Sequence, residues 1–176
     1  MIPQRWIEAY LRFLLKYRGT VTDNKDPLFS GRVKVNVPYA MGDEEDWAMP
    51  CFPYAATLTG VFIVPPVGAN VWVEFEGGDI DAPIWVGGFY PQLLKPAPLA
   101  LAAPPGTEEV VIQVGANNTV SIKDVPGPAG GIMLQSGLAS VLINDQGIFM
   151  SDGNGGIVTI TKGIVSLNPP SLVVLK

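Results

Sequence analysis

The pattern of apolar residues changes three times along the chain. From Pro3 to Lys16 they fall at Trp6, Ile7, Ala9, Tyr10, Phe13 and Leu14, with Pro3 suited to a first helical turn, so residues 1–16 are expected to form a short amphipathic helix. From Tyr17 to Tyr90 the pattern becomes short alternating or continuously apolar runs: Tyr17 to Thr22, Gly31 to Val37, Gly60 to Val64, Asn70 to Glu76 and Pro83 to Tyr90. Asp, Asn, Gly and Pro separate them, as turns separate strands. Five short strands predict a small closed barrel over residues 17–90, because an open sheet of that size would leave free edges. In Val71 to Phe75 the alternation turns Val71, Val73 and Phe75 inward and Trp72 and Glu74 outward.

Residues 91–107 form a proline-rich linker with Pro91, Pro96, Pro98, Pro104 and Pro105, expected to run extended over a surface and to stay out of a sheet. Its leucines at 93, 94, 99 and 101 need cover that a neighbouring subunit can supply. Residues 108–176 are quasi-repetitive: five-residue strands begin at Thr119, Gly131, Ser140, Gly147, Gly156 and Gly163. The last five starts are 9, 7, 9 and 7 residues apart, shorter than a hairpin meander usually allows, and this spacing reads as a solenoid or β-helix. One chain of this length winds a full solenoid core poorly, whereas three intertwined chains, each adding a strand per layer, bury the same side chains. The expected fold is mainly β: an N-terminal helix, a five-stranded barrel and a trimeric β-helical shaft. In that shaft Val141 and Ile143, Ile148 and Met150, Val158 and Ile160, and Val165 and Leu167 are expected to form the trimer core.

Composition agrees with an assembly. Hydrophobic residues make up 48% of the 176, while charged residues make up only 15%, well below the roughly 25% of an average soluble domain. Much apolar surface must therefore meet a partner. No apolar stretch is long and proline-free enough for a membrane helix of about 20 residues, and the charges spread through residues 5–16 do not suit a secretory signal. A net charge of −5 argues against nucleic acid as a partner. The single cysteine, Cys51, forms no disulfide framework and is expected to be a buried, inert thiol. With no histidine in the chain the commonest general base and metal ligand are missing, and no enzyme activity, cofactor or metal is expected. The glycine pairs near Asp79 and Asn154 lack the Lys-Ser/Thr of a phosphate loop and read as turns. Asp43 to Asp46 reads as a solvated acidic loop, and Asp79 and Asp81 as turn residues.

Three segments carry a resemblance: Tyr17-Arg-Gly-Thr-Val-Thr-Asp-Asn-Lys-Asp-Pro, Gly31-Arg-Val-Lys-Val-Asn-Val-Pro, and the run from Pro66 to Gly88 containing Val67-Gly68, Val71-Trp72-Val73-Glu74-Phe75 and Gly77-Gly78-Asp79 before Pro83. Together they resemble the OB-fold domain of baseplate assembly protein V, found in the central spike of contractile phage tails, in R-type pyocins and in the type VI secretion spike. A barrel followed by a repetitive β-helix is also that family's architecture. The resemblance implies a homotrimeric structural spike at the baseplate tip of a virion or an equivalent particle, puncturing a target cell envelope on sheath contraction and touching it only transiently. It implies a baseplate hub as partner. Trp6, Tyr10, Phe13 and Leu14, a stripe at helical period, are candidates to dock that separate hub. The lysozyme domain and the histidine-held iron tip of some relatives have no counterpart here, so a separate tip protein is a possible cap. The competing function is a receptor- or sugar-binding tail module using the barrel face, for which Trp47, Trp72 and Trp85 could supply an aromatic platform.

Overall fold

The computed structural model describes residues 15–91, 98–101, 104, 106–168 and 171–174. The expected N-terminal helix, with its candidate docking residues Trp6, Tyr10, Phe13 and Leu14, lies outside them apart from its last two residues, which are non-helical. Two compact units divide between Leu94 and Lys95. Among the described residues no helix is long and apolar enough to cross a membrane.

The first unit is a closed five-stranded barrel. Strands β1 (Tyr17–Asp23), β2 (Val33–Asn36), β3 (Glu45–Pro50), β6 (Asn70–Phe75) and β7 (Pro83–Gly88) join in the order β1-β2-β3-β7-β6, and β6 closes on β1. All pairs are antiparallel except β3 with β7. The period-two pattern puts Val33 and Val35 of β2, Val71, Val73 and Phe75 of β6 and Trp85 of β7 in one buried core with Val21, Val37 and Ala48. A single turn of helix, α1 (Pro38–Met41), links β2 to β3, and a two-residue-stranded hairpin, β4 (Ala55–Ala56) and β5 (Thr59–Gly60), stands between β3 and β6. Gly77 and Gly78 take positive φ in the β6–β7 turn, where Asp79 Oδ1 accepts the Asp81 N–H at 3.1 Å.

Two expectations fail in this unit. The run Gly60 to Val64 is not a barrel strand; Val61, Phe62 and Ile63 are exposed, and the fifth strand is β3, which begins inside the acidic run. Only Ala48 of β3 is fully buried, so its alternation is too weak to see, while Glu45 is held 3.5 Å from Lys34 across the β2–β3 pair. Cys51 is exposed, with its N–H donating to the Trp85 carbonyl at 2.9 Å.

The loop from β1 to β2 is organised by one carboxylate. Asp26 accepts N–H bonds from Leu28 at 3.0 Å and Ser30 at 2.8 Å, the Ser30 hydroxyl at 2.8 Å, and the Arg32 guanidinium through Nε at 3.0 Å and Nη2 at 2.8 Å. Arg32 in turn lies over the Trp47 ring, 5.4 Å from its centre.

The second unit is one antiparallel sheet of eight strands in sequence order: β8 (Glu109–Val114), β9 (Asn118–Lys123), β10 (Gly131–Ser136), β11 (Ala139–Asn144), β12 (Gly147–Ser151), β13 (Ile157–Thr161), β14 (Ile164–Leu167) and β15 (Leu172–Val174). Strands β8 and β15 add to the six expected from sequence. Within the chain this is a hairpin meander where the spacing suggested a solenoid. The 7-residue steps come from two-residue turns: Lys162 and Gly163 both take positive φ, the requirement of a tight hairpin turn. Asn144 Oδ1 caps another turn by accepting the Gln146 and Gly147 N–H groups at 2.9 and 3.2 Å. Of the 9-residue steps, Gly131 to Ser140 also closes on a two-residue connection, Gly137 and Leu138, whereas Gly147 to Gly156 carries the longer connection 152–156, folded around Asp152 Oδ1, which accepts the Asn154 and Gly156 N–H groups at 2.8 Å each. A small single-turn 3-10 segment, Pro98–Leu101, packs beside β8.

Asp26 yields a pH prediction. Its carboxyl is held well below the usual carboxylate range, first by the Arg32 hydrogen bonds and then by Ser30 and Leu28 against an opposing effect of burial. The stabilisation is complete above an unfolded value of about 4 and is lost as pH falls below it. Melting of the barrel followed by tryptophan fluorescence should therefore weaken steadily below about pH 4. Asp26→Asn should lower the neutral-pH melting temperature by several degrees and flatten that acid slope; an unchanged slope would show that Asp26 is not its source.

Candidate functional site

The register of the eight-stranded sheet decides what each face carries. Directly paired residues share a face, and the pairing runs Val110–Ile122–Ile132–Ile143–Ile148–Ile160–Val165 from β8 to β14. A parallel column runs Ile112–Val120–Leu134–Val141–Met150–Val158–Leu167–Leu172. The structure thus brings all eight residues expected at the trimer core, Val141, Ile143, Ile148, Met150, Val158, Ile160, Val165 and Leu167, onto one face in two adjoining columns. Seven more belong with them: Val110, Ile112, Val120, Ile122, Ile132, Leu134 and Leu172. The alternation in Glu109–Val114, Asn118–Lys123 and Gly131–Ser136 carries the signal for six of these; Leu172 sits in a three-residue strand with too little pattern to read.

This aliphatic face is open in the single chain. Ile112 is 59% exposed and Leu134 48%, and Leu134, Val141, Met150, Val158 and Leu167 line a groove of ≈ 730 Å³. The opposite face is mostly polar, yet its small residues are shielded by long neighbours: Thr119, only 5% exposed, pairs with Gln113 and Gln135. Charge is nearly absent from the eight strands. Glu109 and Lys123 are its bearers, and they pair across β8 and β9 at 3.1 Å. Exposing twelve of these fifteen apolar side chains to water, with Val141, Ile148 and Val158 half-buried, while tucking away Ser and Thr inverts the usual order of burial. Covering each would contribute about 1 kcal/mol or more, so the face is built to be buried.

The tryptophans of the barrel are already engaged. Trp85 is 6% exposed in the core, its Nε1 donating to the Gly31 carbonyl at 3.3 Å. Trp72 stacks on Phe89 with ring centres 4.7 Å apart and has Arg18 over it at 5.5 Å, while Trp47 carries Arg32. The acidic pairs do no shared work in this fold: Asp79 shapes a turn, and Asp43 and Glu44 are exposed ahead of β3. Among the described residues no group of three or more Asp, Glu or Cys side chains is arranged to hold a metal.

Comparison with known families gives two matches. Residues 17–90 match the type VI secretion system/phage-baseplate injector OB domain, and residues 109–173 match the phage baseplate V C-terminal trimerisation domain. No curated protein matches the chain.

The inward register generates a substitution test. Ile143→Asp or Ile160→Asp should cut the yield of trimer, measured by sedimentation or light scattering, by at least about tenfold, because repulsion and desolvation would act on three carboxylates near one axis. Ser140→Asp, on the opposite face beside Gln135 and Ser151, should leave it nearly unchanged. Asn144 is unsuitable as a control because it caps a turn. Equal tolerance at both kinds of site would show that the aliphatic face is not the assembly core.

Proposed function

This chain belongs to the phage baseplate V family of contractile injection systems, a structural and not an enzymatic family, and on that premise we propose that it is the central spike that punctures the target envelope. The family's C-terminal module is a trimerisation domain, so the chain is a homotrimer associated with a baseplate. The finer reading rests chiefly on one observation: eight strands in sequence order offer a continuous aliphatic face that a single chain leaves open.

Three such sheets, turned face inward about a threefold axis, make a closed β-helical shaft with a dry core formed by the two columns. Eight strands stacked at about 4.8 Å give a shaft about 34 Å long. Strands β8 to β11 are 6 residues long, β12 and β13 are 5, β14 is 4 and β15 is 3, so the sheet narrows in the direction of β15. A shaft that narrows this way leads with β15 and concentrates the thrust of contraction on a small tip. Inner strands take both ladder partners from their own chain, so stiffness comes from intrachain ladders combined with side-chain interlock between chains. Trp6, Tyr10, Phe13 and Leu14 then dock the spike to a separate hub, and a separate tip protein caps the far end.

The alternative of a receptor- or sugar-binding module gains no support from the tryptophans, each of which is already engaged. Electron cryomicroscopy of the assembled particle tests the proposal. Threefold density on the axis beneath the baseplate, narrowing over about 34 Å, is the expected result. Placement of this chain in peripheral fibres would overturn it.

A further inference from the structure

The strand directions gather one set of loops at one end of the barrel. Strands β1, β3 and β7 end there and β2 and β6 begin there, so residues 24–32, residues 51–69 and the chain leaving β7 share that end. It is strongly apolar. Leu28 is 68% exposed, Phe29 90%, Phe62 64% and Ile63 57%. These include the run that looks like a strand in the sequence but joins no ladder of the barrel.

The end is also rigidly built. Phe29 takes φ of +53°, a strained choice for a bulky residue, and is held there because Asp26 fixes the backbone at Leu28, Ser30 and Arg32. Asn24 Nδ2 donates to the Pro65 carbonyl at 3.1 Å and ties the two loops together. The Phe62 ring rests 5.4 Å from that of Phe52, and a Cβ at Gly31 would come within 3.0 Å of it. Phe29 and Phe62 line one groove of ≈ 410 Å³. A second, of ≈ 420 Å³, lies at the same end against Pro66, Ala69, Phe89 and Tyr90. A strained, exposed aromatic anchored by a buried carboxylate is costly in one isolated barrel and useful as a preorganised contact.

The occupant follows from where the chain goes next. It leaves the barrel at this end and reaches the trimerisation domain within about 18 residues, which holds three barrel copies at a local concentration of the order of millimolar. A threefold ring joins two unlike patches on successive subunits, and this end offers two. We propose that the Phe29 and Phe62 surface of each barrel docks into the Pro66 and Tyr90 groove of the neighbouring copy in the trimer. The proposal rests on the homotrimer reading above.

Hydroxyl-radical footprinting of the full-length protein, with its mass measured in the same sample, tests this. Tyr39, 80% exposed at the opposite end of the barrel, serves as the internal reference. In a sample of three chain masses, Phe29, Phe62 and Tyr90 should be labelled several-fold less than their single-chain exposure demands, each scaled to the unfolded chain and to Tyr39. Phe29→Ser should keep the mass at three chains and restore labelling at Tyr90. Full labelling of Phe29 in a confirmed trimer overturns the docking contact while leaving the trimer intact, and protection that arises only on adding other baseplate proteins overturns it in favour of a different occupant. A mass of one chain overturns the homotrimer reading itself, and this proposal with it.

Discussion

The two-residue period of a β-strand governs this molecule. In the C-terminal sheet it sends every aliphatic side chain of two adjoining columns to the same side, and the described residues leave that side largely open. A single-layer sheet with one oily face is not a stable solution in water. Three copies that turn those faces to a common axis are, and the low charge of the whole chain follows from the same need.

The two units solve burial in different ways. In the barrel, Val21, Val33, Val35, Val71 and Val73 close a core within one chain, and the buried Asp26 carboxylate, paired with Arg32, orders the β1–β2 loop. In the shaft sheet the corresponding side chains wait for neighbours. Folding and assembly are therefore separable for the first unit and coupled for the second. A spike benefits from that coupling, because a shaft whose core exists only in the assembled state can lose a chain only by exposing the whole aliphatic face at once.

What the sequence revealed depended on how much contrast each strand carried. Val33 and Val35, or Val71, Val73 and Phe75, alternate cleanly with polar neighbours and are read correctly. Strand β3 is hidden because Glu45, Asp46 and Pro50 flank a lone buried Ala48. Gly60 to Val64 misleads in the opposite sense: Val61, Phe62 and Ile63 are exposed in the single chain, and apolarity alone does not say whether the cover is internal or external. The eight shaft residues share one face because alternation fixes faces without any knowledge of partners. The meander was harder, since 7- and 9-residue spacings suit a coil and a hairpin alike until the turn geometry at Lys162 and Gly163 is known.

The central claim is that the aliphatic face is buried by two further copies of the same chain. Sedimentation equilibrium of the purified, unmodified protein over a wide dilution range addresses it most directly. The account predicts a single species of about 56 kDa, three times the 18.7 kDa chain, that persists to the lowest measurable concentration. A folded, soluble species at the mass of one chain, with the sheet intact by circular dichroism, would contradict it.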